Sequence, residues 1–329
     1  VLVFQKQPMM RKVLWCLAPI SLFSIWLYGP RALAIGAVTF GLGILTEWLF
    51  ERKKGGKVSE AVLVTCGLYA LSMPPAAPLW IVAIGIVFGV AVAKGVYGGF
   101  GRNVFNPAIA GRLFVYISFA SLLGSSFMPH GGFGASGLNP FAAPDAVSGA
   151  TALASMKGGA YVDPLSLLFG LRDGSIGESP LILIIASGVY LIATKTASWR
   201  IIVAGLAAAA LPAGALRLAG VPGALPIEAL MAGSFPFVLV FMATDPVSAP
   251  KKKGPQYFYG ALIGMATVAI RSFSGFPEGT SFAVLFGNSF ASFLDELAAR
   301  RAEAKKAKAA ASAPAPASPG TAEAKEARV

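Results

Sequence analysis

Cysteine, histidine and acidic side chains are all scarce in this chain. Its 329 residues include two cysteines, one histidine, and 15 aspartates and glutamates against 27 lysines and arginines. Cys16 and Cys66 fall in apolar runs with no C-x-x-C spacing, which leaves no disulfide framework and no set able to hold an iron–sulfur cluster. A single histidine, His130, gives a His-based metal site or a Ser-His dyad little to be built from. Charge as a whole is sparse: 13% of residues are charged and 56% hydrophobic, with a mean hydropathy of +0.69. A soluble domain is nearer ~25% charged and ~45–50% apolar. What the chain does have is near-uncharged sequence spread from residue 13 to residue 297, the mark of an integral membrane protein. Lys6, Arg11 and Lys12 precede the first run without a small-residue cleavage site, so that run is expected to be a span, not a removed signal.

The pattern predicts an all-α membrane protein with about ten spans, at 12–28, 31–50, 59–73, 78–94, 106–124, 179–194, 199–220, 226–243, 257–271 and 280–298. The first three starts in each half fall at about the same offsets, and Leu71–Pro78 echoes Phe241–Pro250 in stopping at prolines. Five spans per half would enter the second half upside down, giving two inverted five-helix repeats. The chain then divides into a first repeat at 1–124, a loop at 125–178, a second repeat at 179–299 and a disordered cytoplasmic tail at 300–329. With the N-terminus inside, most basic residues become cytoplasmic, which places both termini inside a bacterial inner membrane and the 125–178 loop outside. The net charge of +12 then reflects topology and contact with anionic lipid heads, not a nucleic acid partner.

Within the outer loop, Asp145-Ala-Val-Ser148-Gly149-Ala150-Thr151 fits the D-x-x-S-G-A-T pattern at which a flavin transferase joins flavin mononucleotide (FMN) to a threonine through a phosphoester. Small neighbours let the transferase approach the Thr151 hydroxyl closely. The same residue types also make ordinary loops. The Gly98–Gly101 turn follows a span and has no preceding strand and no acidic ribose partner, so it is not a dinucleotide fingerprint; NADH binding belongs to another protein of a complex.

Three blocks, Gly98–Ala108, Ser148–Thr151 and Phe241–Ser248, together resemble the NqrB/RnfD family, whose members serve in the Rnf electron-transport complex and in the sodium-pumping NADH:quinone reductase. The short stretch before the first span looks like the Rnf branch, whereas Arg112 looks like the quinone-reductase branch. The resemblance implies covalent FMN on Thr151 and a second flavin, riboflavin, held without a covalent link by Asn103 and Asn106. Amide side chains suit the alternating donors and acceptors of an isoalloxazine edge, and Pro107 at the first helical position leaves Asn106 free to cap as well. It also implies a redox subunit passing electrons between NADH or ferredoxin and quinone partners within an oxidoreductase complex that moves Na⁺ or H⁺. A hydrocarbon core ~30 Å thick is a long gap for one electron transfer, which gives intermediate carriers a physical reason.

Glu47, Asp245 and Asp295 fall at the cytoplasmic ends of the second, eighth and tenth spans and match acidic positions that the family implies for cation uptake. Each can equally be an interfacial residue pairing with a helix end or a nearby base, Glu47 being five residues from Arg52. A competing reading from another class is a small-solute or ion channel, since inverted repeats with broken helices also build pores.

Overall fold

Each of the ten apolar stretches contains helix, but not in equal measure. The computed structural model describes residues 4–128, 151–157, 160–170, 172–221, 227–274 and 279–311. Its α-helices are α1 (Pro8–Tyr28), α2 (Pro30–Arg52), α3 (Ala61–Ser72), α4 (Leu79–Val90), α5 (Pro107–Ser118), α6 (Ala120–Gly124), α7 (Ala152–Lys157), α8 (Pro164–Phe169), α9 (Leu181–Ala193), α10 (Trp199–Leu218), α11 (Phe235–Phe237), α12 (Lys253–Phe273) and α13 (Gly279–Ala311). The only sheet among the described residues is a two-residue parallel pair, Phe4–Gln5 beside Val58–Ser59.

Three helices, α1, α2 and α10, are long and apolar enough to cross a membrane by length and composition. The 12-residue helices α3 and α5 reach only ~18 Å at 1.5 Å per residue, short of a ~30 Å hydrocarbon core. Proline bounds them: Pro74 and Pro75 follow α3, and α5 begins at Pro107. The eighth stretch is broken into a 3₁₀ turn (Ile227–Leu230), α11 and a π-helical turn (Val238–Met242). Broken backbone of this kind is tolerated at membrane depth where protein surrounds it, and Phe235 through Ala243 is buried except at Pro236.

The outer faces are apolar. Trp15 is 73% exposed, Leu22 68% and Leu211 75%, on helices whose opposite stripes are buried. An apolar outside over a packed inside is the burial pattern of helices facing lipid, whereas a protein in water rarely shows large apolar patches. α3 is the reverse, with every residue but Leu63 buried.

Close packing is set by small residues. A Cβ on Gly264 of α12 would overlap the carbonyl oxygen of Gly205 on α10. A Cβ on Gly89 of α4 would likewise overlap the carbonyl oxygen of Pro107 at the start of α5. Contacts of this kind let two backbones touch without intervening side chains.

The C-terminal segment departs in part from the expected tail. α13 runs on to Ala311, so residues 300–311 are helix and not disordered tail. Alanine, lysine, glutamate and arginine are strong helix formers, and Glu296 pairs with Arg300 at 2.6 Å one turn along. Residues 312–329 lie outside the described residues.

Candidate functional site

The two proline-broken regions meet around a narrow cleft. Asn106 caps α5, its Oδ1 accepting from the N–H groups of Ala108 (3.0 Å) and Ile109 (3.3 Å). Its Nδ2 donates across the fold to Asp245 Oδ2 at 3.2 Å. Asp245 sits just past the π-helical turn and folds back on its own chain, accepting from Val247 N (3.1 Å) and Ser248 Oγ (3.1 Å). One capping asparagine thus joins the fifth apolar stretch to the eighth.

Upstream, Gly98, Gly99 and Gly101 take φ values of 109°, 101° and 86°, a conformation other residues rarely adopt. This turn brings Asn103 into the protein, 7% exposed, with Nδ2 donating to Phe105 O at 3.0 Å. Asn103 Oδ1 has no protein donor among the described residues. Asn103, Asn106 and Asp245 line the cleft with Thr65, Thr244 and Lys94, against Phe100, Phe241 and Pro107. The cleft is tight, with a cavity volume of about 50 Å³.

Lys94 stands on the π-helical turn Ala91–Gly95 that ends α4 and is 2% exposed. It donates to Glu47 Oε2 at 2.5 Å and to Ser59 Oγ at 2.8 Å. Ser59 closes the triangle through its N–H and hydroxyl to Glu47 Oε1, at 2.9 and 2.5 Å. Glu47 is therefore neutralised by Lys94 and not by Arg52, which lies over the Trp48 ring instead. Lys94 is a buried member of this centre. Its sequence signal is a lone lysine within an otherwise apolar run, at residue 94 of the predicted span 78–94.

Asp295 stands apart. Its two carboxylate oxygens accept from the backbone N–H groups of Lys251 (2.8 Å) and Lys252 (3.0 Å), so it fixes the lysine-rich turn before α12. The structure joins Asp245 to Asn106 and Glu47 to Lys94, and does not bring Asp295 into that cleft.

Away from this cleft, Thr151 begins the short helix α7. Its Oγ1 accepts from Ala154 N at 3.2 Å and the residue is half-buried. Below it, Ala152, Leu153 and Met156 pack on Leu167, Ala229 and Ala232. Lys157 at the end of α7 donates to Ser274 O at 3.1 Å. Partial desolvation, with the Arg271 charge nearby, holds its ammonium below the ordinary range. Asp145, Ser148, Gly149 and Ala150 lie outside the described residues, as does His130.

Comparison with known proteins decides the family. Residues 4–303 match the model of the NQR2, RnfD, RnfE family. The chain is 36% identical over 297 residues to the B subunit of the Na(+)-translocating NADH-quinone reductase from Azotobacter vinelandii, an alignment covering 86% of this chain and 70% of that one. It is 38% identical to the protein of the same name from Chromohalobacter salexigens, over 83% of this chain and 67% of the relative. The Pseudoalteromonas atlantica protein of that name is also 38% identical, over 84% and 69%. This chain belongs to the NQR2, RnfD, RnfE family.

In this family member a second buried charge centre lies nearer the Thr151 side. Arg112 on α5 is 1% exposed and donates to Glu178 Oε1 at 3.3 Å, to Ser281 Oγ on α13 at 3.2 Å and to Ser175 Oγ at 3.5 Å. Arg271 on α12 donates to the carbonyls of Ala229 (2.9 Å) and Ala232 (3.3 Å), beneath the helix that Thr151 begins. In the sequence Arg112 stands out only as a branch feature, and Glu178 not at all, because the two partners lie 66 residues apart.

Proposed function

We propose that this chain is a flavin-carrying membrane subunit of an ion-translocating electron-transport complex, with FMN esterified to Thr151 Oγ1. What carries the reading is Ser148-Gly149-Ala150-Thr151 in a member of this family. The Thr151 hydroxyl suits attachment: it is half-buried, and its one hydrogen bond among the described residues, from Ala154 N–H, leaves its own proton unengaged. α7 is braced from below by an apolar cluster, which fixes the anchor's position. Lys157, on the same short helix, supplies positive charge for a phosphodiester. A bound flavin supplies one-electron and two-electron chemistry.

Riboflavin is the second proposed cofactor, in the cleft of Asn103, Asn106 and Asp245. The donor set suits it: Asn103 Oδ1 has room for a ring N–H, and Asn106 Nδ2 retains one proton beyond its bond to Asp245. At about 50 Å³ the cleft admits a flat ring only after side chains part. Asn103 is then the residue that recognises the ring, and Asn106 the one that holds α5 and Asp245 in place.

The relatives' name assigns them Na⁺ and NADH:quinone chemistry. For this chain we take the same class: a redox subunit with partner subunits in the inner membrane, ten crossings in two inverted repeats, both termini cytoplasmic, and Na⁺ or H⁺ as the moved ion. Asp245 and Glu47 remain ion-pathway candidates, each with its charge offset by named donors. Maturation calls for a flavin transferase. Co-expressed with that enzyme, the denatured protein is expected to give a fluorescent yellow-green band in a gel, absent from Thr151→Val. A dark band for the parent excludes covalent flavin and favours the pore reading.

A further inference from the structure

Beside the cleft, and sharing Asp245, Thr244 and Thr196 with its wall, lies an open cavity of about 770 Å³ between the turn before α10 and the segment before α12. Four cations line it: Lys195, Arg200, Lys251 and Lys253. None makes a salt bridge among the described residues. Two helices of 20 and 21 residues, α10 and α12, start at its wall. No side chain caps the start of α10 and its first turn holds no acid, so its N–H groups and the positive end of its dipole are available, whereas the start of α12 already faces the Asp295 carboxylate. Ser198, in the capping position of α10, spends its hydroxyl on Gln256 instead, at 2.7 Å.

The nearby acids, Asp245 and Asp295, offset part of this charge and leave the cations in excess. Asp245 is bonded by Val247, Ser248 and Asn106, and Asp295 by the backbone of Lys251 and Lys252. With cations in excess, the mouth favours an anion.

We propose that this cavity holds the phosphate headgroup of an acidic phospholipid. The charge fits a phosphate, and the rim fits a lipid: Trp199 and Tyr257 stand exposed there, ring edge to ring face at 6.0 Å, with Arg200 over Trp199. Exposed tryptophan and tyrosine beside basic residues are the signature of the headgroup level. Met9, Ile192 and Ile201 give the cavity an apolar side for an acyl chain.

The test is the melting temperature of the purified full-length protein in uncharged detergent, with added dioleoyl phosphatidylglycerol, dioleoyl phosphatidylcholine or inorganic phosphate. Phosphatidylglycerol is expected to raise Tm by several degrees in the parent and by less than a third as much in Lys195→Gln/Arg200→Gln/Lys251→Gln. Single Lys195→Gln, at an exposed residue, should already weaken the shift if the triple variant does not fold. An equal shift in parent and variants, or an equal shift with phosphatidylcholine, overturns the site. A full shift with inorganic phosphate alone overturns the lipid assignment. Unchanged lipid response with loss of a partner protein from the variant complex instead makes the cavity a protein interface, and likewise overturns it.

Discussion

At the residue scale, the buried ionic pairs decide how the interior tolerates charge. Glu47 and Lys94 are 5% and 2% exposed, so removing one partner strands the other in a low-dielectric surrounding. Breaking such a pair costs roughly 3–5 kcal/mol. Glu47→Gln and Lys94→Met are each expected to lower Tm sharply, and Glu47→Gln/Lys94→Met together less than their sum; additive losses would mean the pair is not coupled. Asn103 and Asn106 separate by role. Asn103→Leu should lower extracted riboflavin several-fold while sparing covalent flavin and leaving Tm within a few degrees. Asn106→Leu removes a cap worth about 1 kcal/mol and the donor to Asp245, so it should lower Tm as well. Equal riboflavin in Asn103→Leu and the parent would remove that assignment.

At the element scale, the α10–α12 and α4–α5 contacts depend on glycines that admit no side chain. Gly264→Val would drive a branched side chain into the Gly205 carbonyl, and the helices must separate or shift. A large drop in Tm, with Gly214→Ala on the open face of α10 nearly neutral, is the expected result; equal small effects would contradict the packing. Much of this level is legible in the sequence, because apolar runs, Pro107 after Asn106 and the proline stops after residues 73 and 245 are local signals. The tail is not: polar composition without apolar periodicity reads as disorder, yet alanine-rich helix propensity carries α13 to Ala311. Nor is the pairing legible. Sequence distance matches Glu47 to Arg52, while a π-helical turn delivers Lys94 from 47 residues away. Sequence blocks assign Asn106 and Asp245 to separate sites, and a contact across 139 residues joins them.

At the scale of the whole molecule, the proposed topology puts Thr151 and Asp245 on opposite sides of a membrane. Cysteines introduced as Lys157→Cys and Lys252→Cys report this directly, because native Cys16 and Cys66 are buried. In intact cells a membrane-impermeant maleimide is expected to label Lys157→Cys and to reach Lys252→Cys only after lysis; labelling of both in intact cells would undo the orientation and the inverted repeat with it. The flavin itself rests on a single bond at Thr151. Mass spectrometry of the peptide containing Thr151, from protein made with the flavin transferase, is expected to find the added mass of one FMN on that residue and none in Thr151→Val. An unmodified Thr151 in the parent would contradict covalent attachment and the redox role built on it.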